Sequence, residues 1–137
     1  YKENFKNLQI QLTATAINMP VLDTWWDELM EFNIPLFFGV VFWPEEYNLD
    51  AIPDEYKDYQ IAWLKRWIKN YDDRHQQTGE VWRRKTLEAE EAISILQASK
   101  FDYHKYKKFK ESVAKMDKLR NENILDIDER FEDIINE

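Results

Sequence analysis

The sequence predicts an α/β fold, in which a β-α-β unit is followed by a helical C-terminal extension. Residues 8–17 alternate between apolar and polar side chains, which is the period of a strand. Residues 36–43 (LFFGVVFW) are uncharged and rich in β-branched and aromatic side chains, which is typical of a strand buried on both faces of a parallel sheet. The segment between them has the apolar spacing of an amphipathic helix.

The first strand is interrupted at Pro20, and proline suits the first turn of a helix because its missing N–H costs nothing there. We expect this helix over residues 21–32, with its end at Asn33. Strand, helix and strand then form one β-α-β unit. The second strand stops at Pro44, and a polar loop is expected from there to Pro53.

Three long helices and one short helix are predicted for the rest of the chain. Apolar side chains recur at helical spacing over residues 54–71, 80–98 and 103–120. Asp54 and Asp102 are expected to cap the first and third of these helices. Residues 72–79 read as a polar connector. Near the C-terminus the pattern breaks at Asn123 and restarts at Asp128 as a short apolar patch.

A sheet of two strands is not stable by itself. Either the strands pair with strands from elsewhere, or the chain dimerises, or a further strand lies near the connector. Because the chain begins with Tyr1 rather than Met, we expect a fragment or a processed product. We assign residues 1–53 to the β-α-β unit with its following loop and residues 54–137 to a helical extension.

The composition excludes several classes of function. The chain has no cysteine, which excludes disulfides, thiolate metal sites and cysteine nucleophiles within these residues. Its two histidines, His75 and His104, are not spaced as a helical metal-binding pair. No apolar run approaches the roughly 18 residues that cross a bilayer, and no signal peptide is visible, so we expect a cytoplasmic protein without membrane contact. No Gly-rich phosphate loop or nucleophile elbow is present.

The net charge of -8 is unevenly distributed. Residues 1–60 hold 11 acids and 3 bases, residues 61–120 hold 9 acids and 15 bases, and residues 121–137 hold 7 acids and 1 base. A basic middle segment is a feature of nucleic-acid binding proteins. The interpretation we favour is that the two acidic flanks neutralise it within one fold.

Three segments carry short motifs that belong together. The first is a strand end, Thr13 to Asn18 (TATAIN), followed by a helix. The second runs from Trp43 to Leu49 (WPEEYNL) and continues from Ile52 to Lys57 (IPDEYK). The third is Met116 to Asp126 (MDKLRNENILD). Together they resemble the C-terminal half of the twitch-type radical SAM proteins, in which a late barrel strand ends with Asn, the next ends with Pro and "yl…LP…K", and a final helix carries "LDxxRxxxxxD".

The resemblance covers most of the chain and implies that residues 1–53 are the β-α-β portion and late strands of a partial (β/α) barrel, followed by a helical C-terminal extension over residues 54–137. It implies that the parent protein uses S-adenosylmethionine and a four-iron cluster held by three cysteines. This sequence departs from the family because it has no cysteine, so the chain alone binds no cluster and is not active. The cluster loop lies in the first third of the family's barrel, and the missing N-terminal half is therefore the expected partner.

Residues near the two strand ends are the candidates for the S-adenosylmethionine and substrate pocket. The candidate cofactor-binding residues are Thr13, Thr15, Asn18, Phe42 and Pro44. Hydroxyl and amide groups suit a nucleoside or methionyl group, and an aromatic side chain suits adenine. For Phe42, Trp43 and Pro44 the interpretation we favour is core packing and a turn. No catalytic residue and no metal ligand is expected in this chain.

Other charged residues are expected to have structural roles. An acidic loop contains Glu45, Glu46, Asp50, Asp54 and Glu55. Nothing in its spacing demands metal or acid–base chemistry, so a solvated loop is favoured. Arg120 is expected to lock the last helix through ion pairs with Asp117 and Asp126.

Two alternatives to the enzyme fragment remain open. One is a non-enzymatic interaction module, in which Trp63, Trp67, Trp82 and the long helices pack against a partner protein or a second copy of the chain. The other is a nucleic-acid binder that uses residues 61–120. Its phosphate contacts would be Lys105, Lys107, Lys108 and Lys110, with Tyr103, Tyr106 and Phe109 stacking on bases. At helical spacing such aromatic residues are more often core, so nucleic acid is not the partner we expect.

Overall fold

The computed structural model describes residues 8–32, 34–75 and 80–136, with the backbone alone for 72–75 and 80–82. Within them the regular elements are β1 (Ile10–Ala14), α1 (Leu22–Glu31), β2 (Leu36–Val40), α2 (Asp54–His75), α3 (Glu80–Ala98), α4 (Tyr103–Arg120) and α5 (Phe131–Asn136). Short 3-10 turns lie at Met19–Val21, Glu45–Tyr47, Leu49–Ala51 and Ile124–Asp126. The fold is mostly helical with a small parallel sheet, which confirms the predicted β-α-β unit and its helical continuation. Whether the pair of strands belongs to a barrel stays a prediction.

β1 and β2 are parallel, with Ile10 opposite Leu36. Ile10 donates its N–H to the carbonyl of Pro35 at 2.8 Å, and Val41 donates to the carbonyl of Ala14 at 3.3 Å. A parallel ladder uses alternate residues of each strand. The even-numbered residues of β1 and the odd-numbered residues of β2 therefore bond to one another, and the main-chain groups between them point to the outer edges of the sheet.

α1 follows a 3-10 turn that contains Pro20, as predicted, and it connects the two parallel strands. Trp26 is fully buried on its inner side, stacked on Phe38 with ring centroids 6.3 Å apart and edge-on to Trp67 at 5.8 Å. Trp67 also donates its indole N–H to Asp27 Oδ1 at 3.0 Å. These rings join the sheet, α1 and α2 in one core.

The described helices bury only one face of the sheet. Leu36 is 4% exposed and Phe38 packs against the core, whereas Phe37 between them is 51% exposed. Beyond the end of β2, Phe42 and Trp43 are 77% and 82% exposed. The prediction that the second strand is buried on both faces is therefore wrong for the described residues. An apolar strand sequence predicts that both faces of the strand are to be buried. It does not indicate whether elements of the same chain pack on both faces.

The other face, called the uncovered face below, consists of Gln11 and Thr13 from β1 and of Phe37 and Gly39 from β2. Gln11 lies opposite Phe37, and Thr13 lies opposite Gly39. Both β1 side chains are exposed, and a Cβ placed on Gly39 would meet no atom within 4 Å. Open space therefore lies over this part of the sheet in the described structure.

The helical part largely follows the sequence prediction. Asp102 caps α4 by accepting the N–H groups of His104 at 2.9 Å and Lys105 at 3.2 Å. α2 begins at Asp54 but continues to His75, beyond the predicted end at residue 71. The remainder of the predicted connector, residues 76–79, and the predicted helix end at Asn33 lie outside the described residues. No further strand is found in the described part of the chain.

Two hydrophobic clusters hold the fold together. The first joins β1, α1, β2, α2 and α3 around Trp26, Leu64 and Leu96. The second joins the loops after the strands to α4 and α5 around Ile52, Phe109 and Phe131. Both clusters contain residues from before and after residue 53, so the two predicted regions share their packing, while the domain boundary itself stays a prediction. Among the described helices, none has the length and apolar character of a bilayer span.

Candidate functional site

The loops that follow β1 and β2 lie side by side. Ala16 donates its N–H to the carbonyl of Tyr47 at 2.8 Å, and the Asn48 side chain donates to the carbonyl of Val41 at 2.6 Å. Asn48 is buried, so this bond is held in the interior. In parallel α/β folds, ligands bind beyond the carboxyl ends of the strands. This region is therefore the first place to look for a site.

The side-chain amide of Asn18 is used within the turn after β1. Its Oδ1 accepts the N–H of Thr15 at 2.9 Å, and its Nδ2 donates to the carbonyl of Thr13 at 2.7 Å. Thr15 Oγ1 accepts the N–H groups of Ile17 and Asn18, each at 3.2 Å. The main-chain groups of Thr13 and Thr15 point away from β2, so Asn18 bonds to this edge as the peptide of a neighbouring strand would. Thr15 and Asn18 therefore already have structural partners.

The outer edges of the sheet are only partly covered by described residues. On the β2 side, the N–H of Leu36 donates to Glu88 Oε1 at 3.1 Å, which closes the start of that edge. On the β1 side, Asn18 closes the end. Between these closures, the ladder geometry leaves Gln11 on one edge and Phe38 on the other without a strand partner among the described residues. Each edge thus offers a short stretch for further pairing.

The other predicted site residues are accessible. Thr13 lies on the uncovered face, and Phe42 and Pro44 are exposed just beyond β2. The interpretation that Phe42, Trp43 and Pro44 pack in the core is wrong for the described chain, because no described element covers them. The Trp43–Pro44 peptide bond is cis. Thr13, Phe42 and Pro44 are the predicted site residues that a ligand or partner can reach.

α4 lies across the loops and forms ion pairs with the acidic loop. Lys108 pairs with Glu45, and that hydrogen bond lowers the pKa of the Glu45 carboxyl and raises the pKa of the Lys108 ammonium. Lys105 Nζ lies 3.3 Å from Asp50 Oδ2. Burial alone would raise the pKa of Asp50. Hydrogen bonds from the Ser99 hydroxyl, the Lys100 N–H and the Lys105 ammonium outweigh that effect, so the pKa of Asp50 is lowered. Glu45 and Asp50 of the acidic loop are therefore bound to α4 rather than simply solvated.

Two of the four lysines predicted to contact phosphates are paired within the chain, whereas Lys107 and Tyr103 are exposed. Lys105 and Lys108 are engaged by acids of the same chain, in agreement with neutralisation of the basic segment by its acidic flank. Lys110 lies over the ring of Tyr106, with 4.4 Å from Nζ to the ring centroid. Tyr106 and Phe109 are buried, as expected for core residues, and are not available to stack on bases.

Lys57 is almost completely buried, at 1% exposed. Its Nζ lies 2.9 Å from Asp54 Oδ1 and donates to Ser99 Oγ at 3.0 Å. Ser99 in turn donates to Asp50 Oδ1 at 2.7 Å. This chain of bonds fastens the α3–α4 connection to the loop after β2. Helical periodicity does not predict that Lys57 is buried. The only sequence feature that sets this lysine apart from the others is its position in the motif that resembles "LP…K".

A pocket of about 310 Å³ lies beside the strand-end loops. Its lining includes Ile17 from the loop after β1, Tyr47 from the loop after β2, and Met116, Asp117, Arg120 and Ile124 from α4 and the turn beyond it. The Tyr47 hydroxyl is 3.4 Å from Ser112 Oγ, which fixes that wall. The three segments that resemble radical SAM proteins therefore all contribute to one pocket.

Arg120 does not act as predicted. Among the described residues it forms no ion pair with Asp117 or Asp126, so the prediction that it locks the last helix is wrong. Asp117 Oδ2 instead accepts the N–H of Ile124 at 3.1 Å. Arg130 instead ties the C-terminal segment to the start of α1. Its Nη1 donates to Asp23 Oδ1 at 2.8 Å, and its Nη2 donates to Asp128 Oδ2 at 2.9 Å.

The residues present do not fit a four-iron cluster. The chain has no cysteine, and the described residues contain no group of three His, Asp or Glu side chains placed to hold a metal ion. His104 is exposed and lies 3.9 Å from Glu45 Oε1, while the side chain of His75 is outside the described set. Any iron–sulfur chemistry would have to be supplied by residues outside this sequence.

Comparison with known proteins adds no relative to this picture. No protein-family model, curated protein or solved structure matches the chain. Functional inference therefore depends on the residues and their geometry.

Proposed function

We propose that this chain is the C-terminal part of a twitch-type radical SAM enzyme. It contributes the late strands of the barrel wall, part of the S-adenosylmethionine and substrate pocket, and a helical extension. The cluster and the radical chemistry belong to the N-terminal half, and the chain is not active alone. The reaction's substrate is not specified by any residue of this chain.

The convergence of the three resembling segments carries the proposal. Residues 13–18, 43–57 and 116–126 are distant in sequence, yet each contributes to the loops or the pocket at one end of the sheet. The first two segments lie side by side because they follow paired parallel strands, and the third, which is distant in sequence, packs beside them around the pocket. That end is where (β/α) folds place their chemistry.

The open sheet supports the same proposal. An apolar strand with Phe37 half exposed on the uncovered face is unfavourable in water, and cover from additional strands or a bound ligand would remove that cost. The partly open edges at Gln11 and Phe38 are consistent with pairing to strands from the N-terminal half. Thr13 then faces the interior that such strands would enclose.

The test is to isolate, under anaerobic conditions, the natural protein that contains these residues. The proposal requires a CxxxCxxC loop before residue 1, a bound four-iron cluster, and reductive cleavage of S-adenosylmethionine to 5′-deoxyadenosine. As a matched pair, Thr13→Val and Gln9→Val both remove a polar group from the first strand region. Cleavage should fall for Thr13→Val only. A natural protein without the cysteine loop would overturn the proposal.

A non-enzymatic interaction module is the second candidate, and a specific observation favours it. Phe42 and Trp43 are adjacent, large and exposed, as anchors of protein interfaces often are before binding. The surface differs from the predicted one, because Trp67 is buried and Trp63 packs against the core. The side chain of Trp82 lies outside the described set. Replacing Phe42 and Trp43 with serine should abolish association with the partner in this case.

A further inference from the structure

The pocket beside α4 has an apolar inner wall. Val113 and Ile124 are buried, and Ile17 and Met116 extend the same wall. Its volume of about 310 Å³ is at the lower end of the range for small-molecule sites. A ligand held there would bury an apolar group against this wall.

The mouth of the pocket has charges of both signs. Arg120 supplies a guanidinium, and Asp117, Glu122 and Asp126 supply carboxylates. Within the described part of the chain, Arg120, Glu122 and Asp126 form no ion pair, although they line one pocket. Their hydrogen-bonding capacity is thus available to a bound molecule. A simple anion would meet three carboxylates, and a simple cation would leave the guanidinium unused.

We propose that this pocket binds a free α-amino acid with an apolar side chain. The side chain would occupy the wall formed by Val113 and Ile124, where apolar surface leaves water. The ligand carboxylate would pair with Arg120, whose planar fork matches a carboxylate. The ligand ammonium would pair with the acids, principally Asp126. The pocket is the one that supports the proposed function, but its binding test needs neither the cluster nor S-adenosylmethionine, so either proposal can fail without the other.

Isothermal titration calorimetry of the 137-residue chain with L-phenylalanine tests the proposal. We expect a dissociation constant of about 1 mM or tighter for a ligand of this size. Two matched probes remove one charge each. 3-Phenylpropanoate lacks the ammonium and phenethylamine lacks the carboxylate, and each should bind about tenfold more weakly. N-acetyl-L-phenylalanine, which imitates a peptide C-terminus, should be weakened to the same extent.

Variants assign each charge to its partner. Arg120→Gln should weaken L-phenylalanine about tenfold and leave phenethylamine unchanged. Lys118→Gln makes the same charge change on an exposed residue of α4 that does not line the pocket, and it should have no effect. Asp126→Asn should weaken L-phenylalanine and phenethylamine but not 3-phenylpropanoate, with Glu132→Gln on α5 as its control.

Three results would overturn the proposal. One is the absence of measurable heat with L-phenylalanine. Another is equal weakening by Arg120→Gln and Lys118→Gln, which would indicate a general charge effect. The third is tighter binding of N-acetyl-L-phenylalanine than of the free amino acid, which would identify a peptide end as the ligand. Because Arg120 and Asp126 are exposed, the variants should keep the urea unfolding midpoint of the parent chain.

Discussion

Two adjacent phenylalanines of β2 test which face of the sheet this chain buries. Phe38 packs against the core and stacks on Trp26 with ring centroids 6.3 Å apart. Phe37, the next residue, is 51% exposed on the uncovered face. The substitutions Phe38→Ala and Phe37→Ala remove the same atoms from the same strand, so differences in intrinsic strand preference cancel.

The structure gives a clear difference in the expected cost. A fully buried Phe→Ala change costs about 3–5 kcal/mol, and because Phe38 is only partly buried we expect about 2–3 kcal/mol, including its stacking on Trp26. For Phe37 about half of the side chain is already in water, so the loss should stay near 1 kcal/mol or below. The unfolding free energies of the two variants should therefore differ by at least about 1 kcal/mol.

Urea unfolding followed by far-ultraviolet circular dichroism measures this difference. That signal reports mainly on the helices, whereas tryptophan fluorescence would itself change when Phe38 is removed from beside Trp26. The denaturant slope should be the same for both variants, so that the midpoints can be compared directly. Equal destabilisation, or a larger cost for Phe37→Ala, would show that the uncovered face is covered in solution. The argument from the open sheet would then fail.

Three further predictions concern the supports of the fold. Burial raises the pKa of Glu88, so the folded chain holds this proton more tightly than the unfolded chain. Stability should therefore fall as pH rises from the ordinary glutamate pKa to the raised one. Urea midpoints measured across that window should show the fall in the parent chain but not in Glu88→Gln. The same dependence of the midpoint on pH in both proteins would contradict the prediction. Arg130→Ala should cost about 1–2 kcal/mol, because it removes hydrogen bonds to Asp23 and Asp128 at a site one-third exposed, whereas Arg120→Ala should stay within about 0.5 kcal/mol in the same urea assay. Asn121 has a φ of 52°, so Asn121→Gly should leave the thermal midpoint unchanged or higher and Asn121→Ala should cost about 1 kcal/mol; the opposite order would contradict the left-handed cap.

Local sequence signals predicted the helices well. The start of α4 follows from Asp102, because an aspartate before a periodic apolar run satisfies the first free N–H groups of a helix. Pro20 likewise marked the entry to α1. In both cases the residue and its partners lie within a few positions of each other, so no knowledge of the tertiary fold was needed.

Features that depend on distant partners were not predictable in this way. The prediction places the lock of the last helix at Arg120, whereas Arg130 binds Asp23, 107 residues distant in sequence. The exposure of Phe37 depends on which elements cover the sheet, and a strand pattern contains no information about that.

The pocket shows the same limit for function. The resemblance singled out the segment around Arg120, but only the fold shows that this segment meets Ile17 and Tyr47 around a common space. The sequence predicts a structural lock from Arg120, Asp117 and Asp126. The lining of the pocket instead leaves the guanidinium accessible to a ligand.

Hydrogen exchange of the sheet amides tests the central claim most directly. The measurement compares the 137-residue chain alone with the same residues in the longer protein that the proposed function requires. If strands from an N-terminal half complete the sheet, amides at the outer edge of β1, such as Gln11 and Thr13, should exchange rapidly in the chain and become strongly protected in the longer protein. Equal protection in both would contradict the account, because the sheet would then be complete without further strands.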